Sequence, residues 1–430
     1  MNEQEGAQAL SKRRKTHLTS KQDRTQTTTP QPPANDNKKA WLEYWKVQGQ
    51  HWRIEPEIDV ERQKYLEERR SITPDIEQGI YPFKNIKLSR ADIEWLLATH
   101  ENGRGPVDWS DPKQRERDGI DLRGAYLSGV DLSGLPLACM RGGLTGSERT
   151  STTLEQHNMA SVNLEGADLY EAHLEGARLS NGHLEKADLY AAHLEAARLY
   201  SAHLEGARLR FAYLDSTTNL DSIFLGNEKY GFASVVDVRW SDVNLAMVNW
   251  AKIQILGDEQ TARHLKPSVG RERRNRLRDY RRAVRANRQL AIALQSQGLN
   301  EDAARFSYRA QKRQRIVFRQ QGKLGQYLFS GFLDLLAGYG YKPWRSFIAY
   351  IIVIIVFATA YYLLGQTVGP SLSPVGSFVF SMTSFHGRGF FPGGIKLDDP
   401  LTILAAIEAF VGLLIEVTFI ATLTQRFFGK

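Results

Sequence analysis

The chain has 430 residues, 42% of them hydrophobic, one cysteine and a formal net charge of +8. That length calls for two to four structural units, and the lone Cys139 excludes a disulfide-stapled secreted fold and fits a reducing compartment. The charge is unevenly placed: residues 261–325 hold eighteen Lys or Arg against four acids, a local +14, so the rest sums to −6.

Residues 1–40 are polar, carry Lys12, Arg13, Arg14 and Lys15, and end near Pro32 and Pro33. They lack the apolar surface that offsets folding entropy and the apolar stretch of a secretion signal, so a disordered basic arm is expected. Residues 41–118 set aromatics such as Trp41, Trp45, Trp95 and Trp109 among charges. They predict a small, mostly helical cap, in which Ser89 caps a helix through Leu97.

From 119 to 255 the chain is repetitive. Leucine recurs every fifth residue from Leu164 to Leu214, and the residue two before it is Val162, Gly182 or alanine. A period of five suits neither a helix nor a flat strand. Shorter tracts keep the spacing, from Leu122 to Leu137 and from Leu220 to Trp250 with Tyr230 included, making twenty-two pentads. The 27-residue interval between Leu137 and Leu164 predicts an insertion at 139–161, and a one-residue slip falls between Leu214 and Leu220. Runs such as Ala167-Asp168-Leu169 resemble the pentapeptide-repeat family. That resemblance implies a right-handed quadrilateral β-helix with about four pentads per coil, and at ~4.8 Å per layer a rod on the order of 25 Å long.

With twenty residues per coil, His173 stacks on His193, His183 on His203 and Arg178 on Arg198, with Glu165, Glu185 and Glu205 in a neighbouring row. Imidazole rows admit a pH sensor or a metal ladder. A solvated wall whose Arg and Glu rows offset each other is the reading adopted, with no metal and no cofactor expected.

The basic linker, 256–340, predicts helices at 271–296 and 301–321, with Asn300 as cap and Leu290, Ala293 and Leu294 facing Ala304, Tyr308 and Ala310. The pair resembles a single tetratricopeptide-type hairpin. Its charge precedes a span, where anionic headgroups attract 271–323 at roughly 1 kcal/mol per basic residue near the surface. Nucleic acid is the lesser reading.

The last unit, 341–430, has two spans. Ser346 to Gly365 is uncharged for twenty residues and Leu401 to Thr424 is apolar for 24, each long enough to cross about 30 Å of hydrocarbon. Lys342 and Arg345 before the first and Arg426 and Lys430 after the second put both termini in the cytoplasm by the positive-inside rule. Between them Ser373 and Pro374 open a short helix, Val375 to about Phe385, followed by a glycine-rich turn from His386 to Gly394. Irregular backbone at membrane depth needs protein or water around it.

This layout resembles the two-span, potassium-channel-like pore family. Thr383, Ser384, Phe385, His386, Gly387, Arg388 and Gly389 then stand at the filter, and Glu408, Gly412 and Glu416 on the inner helix. Gly338 to Pro343 resembles bacterial proteins that join pentapeptide repeats to such a pore. Phe385, His386 and Arg388 replace the family's threonine, valine and tyrosine, so potassium selectivity is not implied. Glu408 is expected to pair with Arg388, Gly412 to act as a hinge, and Glu416 to line the cavity. The fold class expected is therefore multidomain: a quadrilateral β-helix, a helical linker and a two-span α-helical pore domain. The expected function is a homotetrameric cation channel of the bacterial inner membrane whose cytoplasmic coil senses an unknown ligand or partner. A non-conducting membrane-anchored scaffold is the alternative, and no enzyme motif is present.

Overall fold

The computed structural model describes residues 32–264, 271–367, 371–387 and 399–428. Of the expected arm, 1–40, residues up to 31 lie outside them, as does the glycine turn from Arg388 onward, Gly389 included; a helix starts at Lys38, inside the expected arm. The chain divides into two units, with the boundary after Pro56. In the first, α1 (Lys38–Val47) starts where the Asn37 side chain accepts from the Ala40 N–H. Trp41 stacks on Trp45 at 5.4 Å, and the Arg53 guanidinium lies 3.5 Å over the Trp45 ring.

The second unit begins with α2 (Val60–Arg70), α3 (Arg90–Ala98) and the single turn α4 (His100–Gly103). Ser89 and Asp92 form a reciprocal capping box on α3, as the sequence predicts for this start. Lys87, just before that cap, pairs in parallel with Tyr126 and covers the first layer of the repeats.

In the repeats the chain returns above itself every twenty residues. Parallel bridges run in four columns: Asp121, Arg141, Arg178, Arg198 and Asn219; Tyr126, Asn163, His183, His203 and Phe224; Asp131, Asp168, Asp188, Arg208 and Ser234; Pro136, His173, His193, Tyr213 and Arg239. Leu164 through Leu199 and the alanines two residues before them are fully buried, so leucine fills the interior and only a small residue fits beside it. Two residues after each leucine the backbone turns a corner with positive φ, 66° at Gly166 but also 54° at Ala191 and 58° at Ala196. A corner every five residues leaves one residue per side to pair. The described strands outside these single bridges are therefore only the hairpin β1 (Gly226–Asn227) and β2 (Gly231–Phe232).

Two boundaries differ from expectation. Pairing continues through Arg141 and Gly142, so the insertion starts near residue 144 rather than 139, and carries α5 (Gly146–Thr150) and α6 (Leu154–Ala160). Gly142 holds a leucine position because a Cβ there would meet Val162 Cγ1 at 2.7 Å; its neighbours fill the interior instead. Tyr230 is not a pentad: it sits in the hairpin between β1 and β2, which lengthens the step from Arg208 to Ser234.

The other end of the coil is closed by α7 (Gly257–His264), α8 (Arg271–Ser296) and α9 (Asn300–Gln320). Buried Asp258 accepts from the Ser234 hydroxyl and the Val235 and Val236 N–H groups. Gln297 donates to the Val243 carbonyl and Arg309 to the Ile253 carbonyl. Leu290 and Leu294 on α8 and Phe306 and Ala310 on α9 are buried. Asn300 is the first residue of α9 rather than its cap. Then follow α10 (Leu324–Ala337), stopped by left-handed Gly338, α11 (Pro343–Thr367), α12 (Pro374–Phe385) and α13 (Pro400–Phe428).

Candidate functional site

The short helix α12 begins with the Ser373 side chain accepting from the Gly376 N–H and Pro374 at the first position. Twelve residues rise about 18 Å, too little to cross hydrocarbon. It packs against both α11 and α13. Phe380 and Phe385 are buried, and the Phe385 ring meets Tyr350 edge-on at 4.8 Å and packs with Ile354 and Ile415. A Cβ on Gly412 would clash with the Phe385 carbonyl oxygen, so Gly412, expected as a hinge, is where the α13 backbone passes close to the end of α12.

Glu408 is fully buried. It accepts from the Tyr361 hydroxyl at 2.7 Å and from the Ser381 hydroxyl, which also reaches the Ile354 carbonyl at 3.0 Å. One carboxyl group thus ties α11, α12 and α13 together. The expected partner Arg388 is outside the described residues, and Glu408 is held by two hydroxyls without it. Sequence reasoning missed Tyr361 and Ser381; the signal was a polar side chain in each of the two apolar segments facing Glu408.

Thr383 turns its hydroxyl back to the Val379 and Phe380 carbonyls, Ser384 is buried, and Gly387 closes the turn through its N–H to the Ser384 carbonyl. His386 Nδ1 donates to the Met382 carbonyl at 2.8 Å, and Nε2 faces Glu416 Oε1 at 3.5 Å. The structure therefore joins three pairs of predicted residues or their partners: Phe385 with Gly412, Ser381 with Glu408, and His386 with Glu416.

The ring ladders of the coil are regular. His173 stacks on His193 at 4.9 Å and His193 on Tyr213 at 4.3 Å; His183 stacks on His203 at 5.2 Å and His203 on Phe224 at 4.6 Å. Each imidazole Nδ1 meets the glutamate two residues on, from 2.9 Å at Glu175 to 3.3 Å at Glu205. Glu175, Glu185 and Glu205 are buried and pair with imidazoles. The expected solvated wall of Arg against Glu is thus corrected: Arg178 bonds Asp118 at 2.9 Å and Arg208 bonds Asp188 at 3.2 Å.

The Glu175 and Glu205 hydrogen bonds raise His173 and His203 above the ordinary imidazole value of 6.5. Burial pushes Glu185 up, but its bond from His183, a backbone N–H and the charges of His183 and His203 together hold it below the usual value. A raised imidazole stabilises the fold fully below its unfolded value, and that contribution is lost as pH rises through the folded value. The coil is accordingly expected to melt at a lower temperature at pH 8 than at pH 6. His173→Phe should flatten this slope; an unchanged slope in circular-dichroism melts would remove the bond's assigned role.

The model of the family described as Pentapeptide repeats matches eight copies over residues 158–195. Those residues are pentapeptide repeats. No curated protein matches the chain. Among solved structures it is similar to a pentapeptide repeat protein of the Arabidopsis thaliana thylakoid lumen, at 20% identity over 29% of this chain and 70% of that one, TM-score 0.14. HetL of Nostoc, a pentapeptide repeat protein involved in heterocyst differentiation regulation, has 20% identity over 29% and 65%, TM-score 0.14. Rfr23 of Cyanothece has 23% over 28% and 88%, TM-score 0.11. The pentapeptide coil rests on its bridges rather than on these likenesses.

Between the pentapeptide coil and the apolar helices stands Asp334 of α10. Buried, it accepts from the Tyr308 hydroxyl and Arg315 Nη1 of α9, both at 2.9 Å, and Arg345 at the start of α11 donates to its backbone carbonyl at 3.0 Å. Asp334→Ala is expected to lower stability by about 2–3 kcal/mol, because charged donors lose their acceptor. Asp334→Asn, which keeps an acceptor, should cost less. Melting in detergent with proteolysis of 321–342 checks this; wild-type behaviour of both variants would contradict it.

Proposed function

We propose that the chain is a homo-oligomeric cation channel of a bacterial inner membrane, assembled from four copies, with the pentapeptide coil as a cytoplasmic right-handed quadrilateral β-helix that senses a ligand or partner. The observation that carries this reading is α12, a helix too short to cross, lodged against two helices long and apolar enough to do so. Those segments, Trp344–Thr367 and Pro400–Thr424, have mean hydropathies of 2.5 and 2.3, and only 11% and 22% of the residues in their most apolar 18-residue stretches are buried. A core helix of a soluble protein would be covered on most sides. These expose Phe347, Ile351 and Ile355 on α11 and Ile403, Phe410 and Ile420 on α13, a face suited to hydrocarbon. On α10, Leu324, Leu328, Phe332 and Leu335 add an exposed apolar stripe suited to the interface.

Two spans cannot enclose a path alone, so copies must share one, and a ring of Glu416 carboxylates would favour cations. Lys342 and Arg345 support a cytoplasmic coil. Exposed Arg273, Arg274, Arg278 and Arg281 on α8 suit anionic headgroups. Arg285, Arg309, Arg313 and Arg315 are held by partners within the chain, so fewer charges face lipid than composition counts. A ligand that binds two states of the coil with different affinity would bias α11 through α9 and Asp334. Phe385, buried where the pore family places a filter threonine, favours the second reading, a non-conducting membrane-anchored scaffold.

Liposomes separate the two. Purified wild-type chain is expected to pass monovalent cations and Glu416→Lys to block them. Absence of flux from both would reject the channel and favour the scaffold.

A further inference from the structure

The most deeply buried carboxylates of the pentapeptide coil each leave one oxygen without a partner. Glu185 and Glu205 are 5% and 4% exposed. Glu185 Oε1 meets His183 Nδ1 at 3.2 Å, and Glu205 Oε1 meets His203 Nδ1 at 3.3 Å and Asn227 Nδ2 at 3.0 Å. Both Oε2 atoms are buried with no hydrogen-bond partner. One ligand atom from each of Glu185, His203 and Glu205 lies within 4.8 Å of the other two. The opposite column repeats the arrangement at Glu175, His193 and Glu195, where both glutamate Oε2 atoms are again unpartnered.

Desolvated carboxylates persist as anions only beside a cation. Among the described residues the ion-pair partners of Glu185 and Glu205 are imidazoles, with no Lys or Arg nitrogen within 4.0 Å. One imidazole nitrogen and two carboxylate oxygens form the donor set of a first-row divalent ion, with bonds of about 2.0–2.2 Å. The ring stack of His183, His203 and Phe224 already fixes the imidazole plane, as a preorganised ligand requires.

We propose that Glu185, His203 and Glu205 bind a divalent ion of the zinc class, and that Glu175, His193 and Glu195 bind a second. Each ion would join one layer to the next, because the first glutamate of each set lies one turn of the coil below the other two ligands. It stabilises the coil whether or not the chain conducts.

The test uses the full chain in detergent, stripped with chelator and titrated with Zn²⁺ or Co²⁺ at pH 7.5. His203→Phe and His193→Tyr copy the rings that stand next in each column, Phe224 and Tyr213, so they keep the stack and delete the ligand. Wild type is expected to bind two ions per chain, to show the visible absorption of a low-coordinate cobalt site, and to melt higher with zinc. His203→Phe should bind one, and the double variant should bind at least a hundredfold more weakly with no zinc-dependent shift. Glu185→Gln, nearly isosteric, should lose one ion as His203→Phe does. Fewer than one ion on wild type, or equal binding by wild type and the double variant, would overturn the proposal.

Discussion

Gly412→Ala is expected to disrupt the α11–α13 bundle more than any other single methyl group added to it. The new Cβ would clash with the Phe385 carbonyl oxygen, which is backbone and cannot rotate away. The end of α12 must then shift, at a cost toward the upper end of roughly 1–3 kcal/mol for overpacking. That shift also moves His386 off Glu416. Gly331→Ala in α10 is the matched control: its Cβ would meet only Arg315 Nη1 at 4.0 Å, and helix propensity alone should stabilise it by about 0.5–1 kcal/mol. Thermal melting in detergent should separate the two in opposite directions, and equal melting would show that the close approach is not made.

Glu408→Leu is expected to have a comparable effect for the opposite reason. Volume is nearly kept, but the buried Tyr361 and Ser381 hydroxyls lose their acceptor. Ser381 retains the Ile354 carbonyl, whereas Tyr361 has no second acceptor among the described bonds. A buried unsatisfied hydroxyl costs about 1–3 kcal/mol. Glu408→Gln should do less harm, since its amide oxygen still accepts. Adding Tyr361→Phe to Glu408→Leu should recover part of the loss, a non-additivity that a double-mutant cycle reads as coupling. Purely additive melting shifts would mean the two side chains do not act on each other.

The repeat was legible because its cause is local. A leucine every five residues with a small residue two before it admits one period, and the stacking of His173 on His193 and His183 on His203 follows once the resemblance to the pentapeptide-repeat family supplies four pentads per coil. The boundaries were less legible where that local rule is broken: Gly142 fills a leucine position with nothing, and Tyr230 keeps the spacing while leaving the coil. The glutamate partners were misread because sequence spacing gives the row but not the depth. Glu175, Glu185 and Glu205 look like surface charges in the sequence, yet they are buried against imidazoles. In the apolar helices Ser373 and Pro374 marked the start of α12 well. Tyr361 and Ser381 could not be joined to Glu408 from sequence, because 47 and 27 residues separate them and only the packing of three helices brings them together.

The central claim is that several copies of the α11–α13 bundle surround a cation path. Reversal potentials of the purified full chain in a planar bilayer, under asymmetric monovalent salt, test it most directly. The expected result is a current whose reversal moves toward the cation equilibrium potential and which Glu416→Lys abolishes or shifts toward anions. A membrane that stays silent with protein demonstrably inserted, or a reversal following the anion in wild type, would contradict it.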